Sequence, residues 1–291
     1  MTDHYFPVGT LTAGSATVFV DPEKAGWTYS GLTVLEIEPG GRVIFPGDDA
    51  ERVVLSLSGS CTASGADQEF SIAGRKDVFS GPSDFAYFPR DCETEISSVH
   101  GGRFAIPWSR CERKLPGRYV PAADVPVEIR GAGQATRQVN NFCAPDAFET
   151  DKLCAVEVLT PGGNWSSYPP HKHDEAREGE AVLEEIYYFE VAGENGVGYQ
   201  RAYSSGPDRP IDVVAEVRTG DVVLIPHGYH GPSMAAPGYD LYYLNVLAGP
   251  GAERTMAFCD DPAHAWIRSS WEGVETDPRV PMSGSRPNPE R

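Results

Sequence analysis

Glu185-Ile186-Tyr187-Tyr188-Phe189-Glu190-Val191-Ala192-Gly193 reads as a strand running into a turn, and a similar stretch stands earlier at Glu51-Arg52-Val53-Val54-Leu55-Ser56-Leu57-Ser58-Gly59. Flanking matches keep the same order. Val34 to Gly41 (VLEIEPGG) parallels Val156 to Gly163 (VEVLTPGG), and Asp84 to Pro89 (DFAYFP) parallels Asp221 to Pro226 (DVVLIP). The offset grows from 122 through 134 to 137 residues, so the second copy carries longer loops. A conserved order of strand, turn and strand points to two similar β-barrels.

The remaining strand candidates are Leu32 to Glu38, Leu153 to Leu159, Val197 to Tyr203, Ile211 to Val217 and Tyr239 to Leu247. They are rich in Val, Ile and Tyr and bounded by Gly, Pro, Asn and Asp, and helical periodicity is nearly absent. With 31 Gly and 25 Pro in 291 residues, short strands joined by turns are expected, hence an all-β fold. The expected division is a first barrel over 1–110, a linker over 111–133, a second barrel over 134–271 and an extended or flexible tail over 272–291.

The formal charge is −18, and no Lys/Arg-rich run offsets it, which argues against nucleic-acid partners. No window approaches 18 consecutive apolar residues, so no membrane span is expected. The first residues, MTDHYFP, lack the basic and apolar regions of a signal peptide. Six cysteines at 61, 92, 111, 143, 154 and 259 form no CxxC pair and read as reduced thiols. A cytoplasmic protein is expected.

Four of the seven histidines fall in two motifs of the second repeat. In Pro169-Pro170-His171-Lys172-His173, side chains at i and i+2 of a strand share one face, so His171 and His173 can hold one cation while Lys172 faces away. In Gly220 to His230 (GDVVLIPHGYH) a strand enters a Pro/Gly turn that presents an imidazole back to the barrel. Glu185 lies between these motifs. Three imidazoles and one carboxylate suit Zn, Mn, Fe, Co or Ni, with positions left open for substrate.

These residues resemble the cupin superfamily, which implies two tandem cupin-type (double-stranded β-helix or jelly-roll) barrels. Residue by residue, His171, His173, Glu185 and His230 match its metal ligands. The chain departs from the pattern in two places. Glu185 comes twelve positions after His173, with five other acids in between, and His227 competes with His230 because the second motif is one residue short. In the first repeat Glu51 takes the place of Glu185, and Gly47-Asp48-Asp49 stands near where the HxH pair belongs, which implies a metal-free barrel.

The segments PPHKHD, EEIYYFE, GYQRAYS, GDVVLIPHGYHGPSMAAPGYDLYYLNVLAGP and DDPAHAWI resemble the bacterial 5-deoxy-glucuronate isomerases of myo-inositol breakdown, over nearly the whole chain to about Trp271. That resemblance implies interconversion of 5-deoxy-D-glucuronate and 5-dehydro-2-deoxy-D-gluconate through a metal-stabilised enediol. The related 5-keto-4-deoxyuronate isomerases share the two-cupin plan and a zinc ligand set. A cupin dioxygenase on the same ligands is the rival enzyme, and a storage or regulatory bicupin is the rival outside enzymes. No GxGxxG or P-loop is present, so no nucleotide cofactor is expected.

The substrate is an anion and so is the protein, so an Arg fork is expected to hold the uronate carboxylate. Arg201 is the first candidate, with Arg254 and Arg268 behind it. Tyr187 shares strand parity with Glu185, and Tyr243 shares it with Asn245 while Tyr242 takes the other face, which makes Tyr187 and Tyr243 candidate proton donors. The general base stays open between an acid of 174–184 and a metal-bound hydroxide. The possible partners are a small sugar acid and, for self-association, a second copy of the chain.

Overall fold

Period-two alternation in the strand Glu184–Val191 decides which side chains meet. Ile186 and Tyr188 point to one face, into a core shared with Val53 and Leu55 of the first repeat. Tyr187 and Phe189 point to the other, into the interior of their own barrel. The protein is described by a computed structural model over residues 4–283, and its regular structure is almost entirely β.

The first repeat forms a nine-stranded sheet that curls round its own apolar interior, lined by Leu35, Val54, Phe88 and Phe104. The second repeat builds a seven-stranded sheet and a facing six-stranded sheet. The central order of the seven-stranded sheet is Val222–Ile225, Glu184–Val191, Leu241–Ala248, Cys154–Thr160, Arg137–Cys143. The six-stranded sheet carries Gly198–Tyr203, Asp212–Val217, Tyr229–Ala235 and His171–Lys172. The two barrels pack sheet on sheet, with Val34, Leu55 and Phe85 of the first against Ile186, Leu244 and Val246 of the second. Ion pairs cross that seam, a buried one of Arg75 with Glu157 and a half-buried one of Arg103 with Glu190.

The barrel boundaries differ from those expected. Tyr5–Phe6 pairs with Val222–Val223, so the N-terminal residues belong to the second barrel's sheet. The segment 111–133 is no free connector, because Arg118–Val120 adds an edge strand to the first barrel and Val127–Arg130 adds one to the second. The start of the tail is docked too. Asn164 Nδ2 donates to Asp277 at 3.0 Å, and Met282 is buried in the inter-barrel core, with its N–H donating to Gln138 Oε1 at 2.6 Å. The rest of the expected tail, 284–291, lies outside the described residues.

The expected match of Glu51 with Glu185 is off by one residue, which on a strand exchanges faces. Glu51 shares parity with Val53 and Leu55, on the inter-barrel side. Its carboxylate accepts the N–H groups of Asp151, Lys152 and Leu153 at 2.7–2.8 Å. Its counterpart is Glu184, which reaches the other way and accepts the N–H groups of Thr28, Tyr29 and Ser30 at 2.7–2.8 Å. Each barrel thus clamps a backbone run of the other. The residue in the place of Glu185 is Arg52, a buried guanidinium tied to Asp48 and to the Pro46 carbonyl.

Candidate metal centre and its cavity

Three ligand atoms converge at one end of the second barrel: those of His173, Glu185 and His230 all lie within 4.8 Å of one another, and all three residues are buried. Different elements deliver them. His173 follows the short strand His171–Lys172, Glu185 sits on the central strand, and His230 stands on Tyr229–Ala235, directly opposite His171 in register. The eleven residues between His173 and Glu185 form an inserted hairpin, Asp174–Arg177 with Glu180–Val182, which leaves both ends on the cluster. Beneath it Lys172 is buried against Asp174 at 2.6 Å and Glu180 at 2.7 Å, so those acids are already engaged.

Glycine makes the second motif possible. At Gly231, with φ of 95°, an added Cβ would stand 1.8 Å from the Ser167 carbonyl oxygen, so only glycine lets His230 and Ser167 sit side by side. Of the two competing imidazoles, His230 lies in the cluster. His227 is placed elsewhere, edge-on to His4 at 6.4 Å between ring centres.

The hydrogen bonds fix which nitrogen faces the centre. Nδ1 of His171, His173 and His230 lies 3.3, 3.1 and 3.3 Å from the carbonyls of Pro169, Leu183 and Gly228. A carbonyl only accepts, so each Nδ1 carries the proton and each Nε2 is left as the donor atom for an ion. Nε2 of His173 and Nε2 of His230 both stand 2.9 Å from the same oxygen, Glu185 Oε2. His230 Nε2 is buried and has only this Glu185 oxygen, 2.9 Å away, beside it, without a well-formed hydrogen bond. Two imidazole nitrogens and a carboxylate oxygen converging in a buried pocket are the donors a divalent ion takes, so this set fits one.

His171 stands at the edge of the group. Its ring centre is 4.4 Å from that of His230 and 4.6 Å from Phe258, but it is not among the three converging ligands. Burial, with His230 beside it, pulls the His171 pKa well down, so the ring is neutral. For Glu185, burial acts to raise the pKa, but the two imidazoles outweigh it and hold the carboxyl far below its usual range. For His173, burial acts to lower the pKa, and the Glu185 hydrogen bond turns the shift upward.

The cluster opens into a cavity of about 570 Å³. Tyr187, Tyr243 and Asn245 line it, as their strand parity requires, whereas Tyr242 turns the other way and donates to Glu157 at 2.9 Å. The phenol oxygens of Tyr187 and Tyr243 each lie 3.0 Å from Ser167 Oγ, and their ring centres are 5.1 Å apart. Burial pushes both phenols up, Tyr187 well above its ordinary value. Asn245 Nδ2 is buried beside the Tyr187 phenol, with no well-formed hydrogen bond of its own.

Arg201 is not brought to this cavity. Gln200 and Ala202 are the buried positions of their strand, so Arg201 takes the opposite face, where its Nη1 binds Asp212 at 2.6 Å and the Val213 carbonyl at 2.8 Å. Arg254 binds the carbonyls of Phe148 and Cys143 and lies outside the cavity too. Arg268 does line it, with Arg137 and Ser167, two residues the sequence reading did not single out. The alternation Arg137, Val139, Asn141 in an otherwise polar strand was the available signal for the first.

The KduI/IolB family model matches residues 5–267. The chain belongs to the KduI/IolB family. Among curated relatives, the 5-deoxy-glucuronate isomerase of Geobacillus thermodenitrificans is 40% identical over 256 residues, covering 87% of this chain and 91% of the relative. That of Bacillus subtilis is 38% identical over 251 residues, 85% of this chain and 91% of the relative. An IolB-like protein from Salmonella typhimurium superposes with a TM-score of 0.84 at 34% identity, covering 91% of this chain and 99% of that one. An oxalate decarboxylase from Lactobacillus farciminis superposes at 0.63 with 12% identity, over 89% and 88% of the two chains, a likeness of fold alone. Among the described residues of this KduI/IolB chain, no helix is long and apolar enough to cross a membrane.

Proposed function

We propose that this protein is a metal-dependent 5-deoxy-glucuronate isomerase, interconverting 5-deoxy-D-glucuronate and 5-dehydro-2-deoxy-D-gluconate in myo-inositol breakdown. The observation that carries this reading is the convergence of His173, Glu185 and His230 on one point of a cavity whose next residues are two protonated phenols. His171, His173, Glu185 and His230 are the proposed ligands. A divalent ion there, Zn or Mn, supplies Lewis acidity toward the substrate's carbonyl and adjacent hydroxyl.

The reaction takes a proton from C2 of the aldose and returns one to C1, while the hydroxyl proton on O2 leaves and O1 gains one. Negative charge grows on these oxygens as the enediol forms. Tyr187 and Tyr243 are suited to answer it, because burial keeps both phenols protonated at neutral pH, as donors and not as bases. Ser167 Oγ, bonded to both, holds their hydroxyls at one end of the cavity. Asn245 Nδ2, buried beside the Tyr187 phenol, offers a further donor.

An NMR time course with 5-deoxy-D-glucuronate in D2O, with and without chelator and beside elemental analysis, tests the proposal. Chelator-sensitive formation of the 2-deoxy-5-keto acid is expected, with deuterium in the new hydroxymethyl group if the base exchanges with solvent. A protein with one bound ion per chain and no conversion would remove the isomerase reading. Oxygen uptake in its place would favour a dioxygenase on the same ligands.

A further inference from the structure

Three guanidinium groups line the cavity, those of Arg130, Arg137 and Arg268. Two already have carboxylates. Arg130 pairs with Glu128 at 2.7 Å, and Arg268 holds both oxygens of Asp260, Nη2 to Oδ1 at 2.8 Å. Arg137 has none within 4 Å among the described residues, and its one hydrogen bond runs from Nη1 to the Ala135 carbonyl at 3.3 Å. Nevertheless Arg137 is the most buried of the three, at 8% exposure. An arginine taken out of water without a counter-ion is costly, and such a group is kept where an anion arrives to pair with it.

The placement agrees. Arg137 opens the strand Arg137–Cys143, and alternate residues Val139 and Asn141 line the same cavity, so parity sends its side chain inward. Gln138 and Asn140 take the other face, where Gln138 Nε2 donates to Asn140 Oδ1 at 2.8 Å. Trp271 stands beside Arg137 and Arg268, its ring 5.8 Å from each guanidinium carbon. Of the acids facing this wall, Glu128 is taken by Arg130 and by Asn141 Nδ2 at 3.1 Å, and Glu185 by the imidazoles; Asp146 also lines the cavity, beyond 4 Å from the guanidinium. Burial, with Arg130 and Arg268 nearby, brings the Arg137 pKa down to about 10, which leaves it charged at neutral pH.

We infer that Arg137 is the carboxylate anchor of the cavity, a specificity-determining residue that selects sugar acids over neutral sugars. The inference rests on the isomerase reading for the identity of the acid, but not for the recognition of a carboxylate. An anchor at one wall and the ion ligands at another hold a substrate by both ends. The reactive carbonyl is then positioned by the carboxylate grip, in a protein whose overall charge of −18 would otherwise repel it.

The test compares wild type, Arg137→Gln and Arg137→Lys, all metal-replete, in calorimetric binding of two non-isomerising probes. One is the substrate acid with its aldehyde reduced to an alcohol; the other is the neutral amide of that acid. Wild type is expected to prefer the acid by at least ~30-fold, from a charge-assisted bidentate pair in a desolvated site. Arg137→Gln is expected to reduce that preference to within about threefold while leaving the amide affinity unchanged, and Arg137→Lys to keep part of it. Thermal unfolding checks the fold, and if the Gln variant does not fold, the Lys variant carries the comparison.

A preference that survives in Arg137→Gln, equal losses on both probes, or no acid binding by wild type would each overturn the anchor. Turnover of the aldehyde substrate by wild type is scored separately. Turnover with an Arg137-independent preference removes only the anchor. An Arg137-dependent preference without turnover removes only the isomerase.

Discussion

Replacing Glu185 by Gln separates a metal ligand from a structural carboxylate, because the two roles predict different changes with and without the ion. Glu185 Oε2 faces Nε2 of His173 and of His230, each at 2.9 Å. Gln keeps the size and a polar contact, and His173 can release its proton, so no unpaired buried charge is left. The metal-free variant should therefore lie within about 1 kcal/mol of wild type. With the ion the loss is larger. At a metal concentration 100 times the wild-type Kd, binding stabilises by about 2.7 kcal/mol. If losing the anionic ligand weakens binding ~100-fold, the same concentration stabilises the variant by only about 0.4 kcal/mol. The difference of about 2.3 kcal/mol corresponds to roughly 4 °C in Tm for a chain of 291 residues. Differential scanning fluorimetry at fixed free metal, with and without chelator, reads both numbers, and elemental analysis reads occupancy. Equal drops in the two conditions would make Glu185 a structural residue, and full metal content in the variant would refute its role as a ligand.

Three further outcomes are expected. Gly231→Ala places a Cβ 1.8 Å from the Ser167 carbonyl at a φ of 95°, so it should cost about 3 kcal/mol or more and empty the metal site, read by urea unfolding and elemental analysis. Glu51→Gln puts an amide donor against three backbone N–H groups and the Tyr87 hydroxyl, and should lower unfolding free energy by about 3 kcal/mol while turnover per folded molecule holds. Asp277 is held well below the usual carboxylate range, first by its hydrogen bonds to Arg279. A depressed folded pKa stabilises above the unfolded value of about 3.9 and loses that contribution as pH falls below it. In urea unfolding, wild type should accordingly exceed Asp277→Asn most at pH 5 and above, and converge with it toward pH 2. A gap that widens in acid would be the wrong sign.

Much of the fold is legible because period two exposes it. The strands holding Tyr187, Tyr243 and Glu185 are rich in β-branched and aromatic residues, and parity alone puts Tyr187 inside the barrel and Tyr188 against its neighbour. The HxH pair and the Pro/Gly turn mark the end of the barrel where His173, Glu185 and His230 converge. The strand Arg137–Cys143 is hidden because its composition is polar: Gln138 and Asn140 are buried by bonding one another, and Asn140 donates to Glu157 at 3.0 Å, pairings a linear pattern does not show. Missing that strand left Arg137 unread and sent the anchor to Arg201, although the buried neighbours Gln200 and Ala202 turn Arg201 outward.

That Glu51 matches Glu184 and not Glu185 bears on why the His/Glu cluster stands in only one barrel. Matching acids at Glu51 and Glu184 serve the same task in both repeats, each capping a run of N–H groups in the other barrel, so the pair preserves the symmetry of assembly. The next residue breaks it. In the second barrel that position is Glu185, facing two imidazoles whose Nδ1 protons are committed to carbonyls. In the first it is Arg52, a buried cation held by Asp48, and a fixed positive charge there opposes a divalent ion. Restoring a site in the first barrel therefore requires more than histidines near Asp48. The guanidinium itself must go, and with it the ion pair that closes that barrel's end.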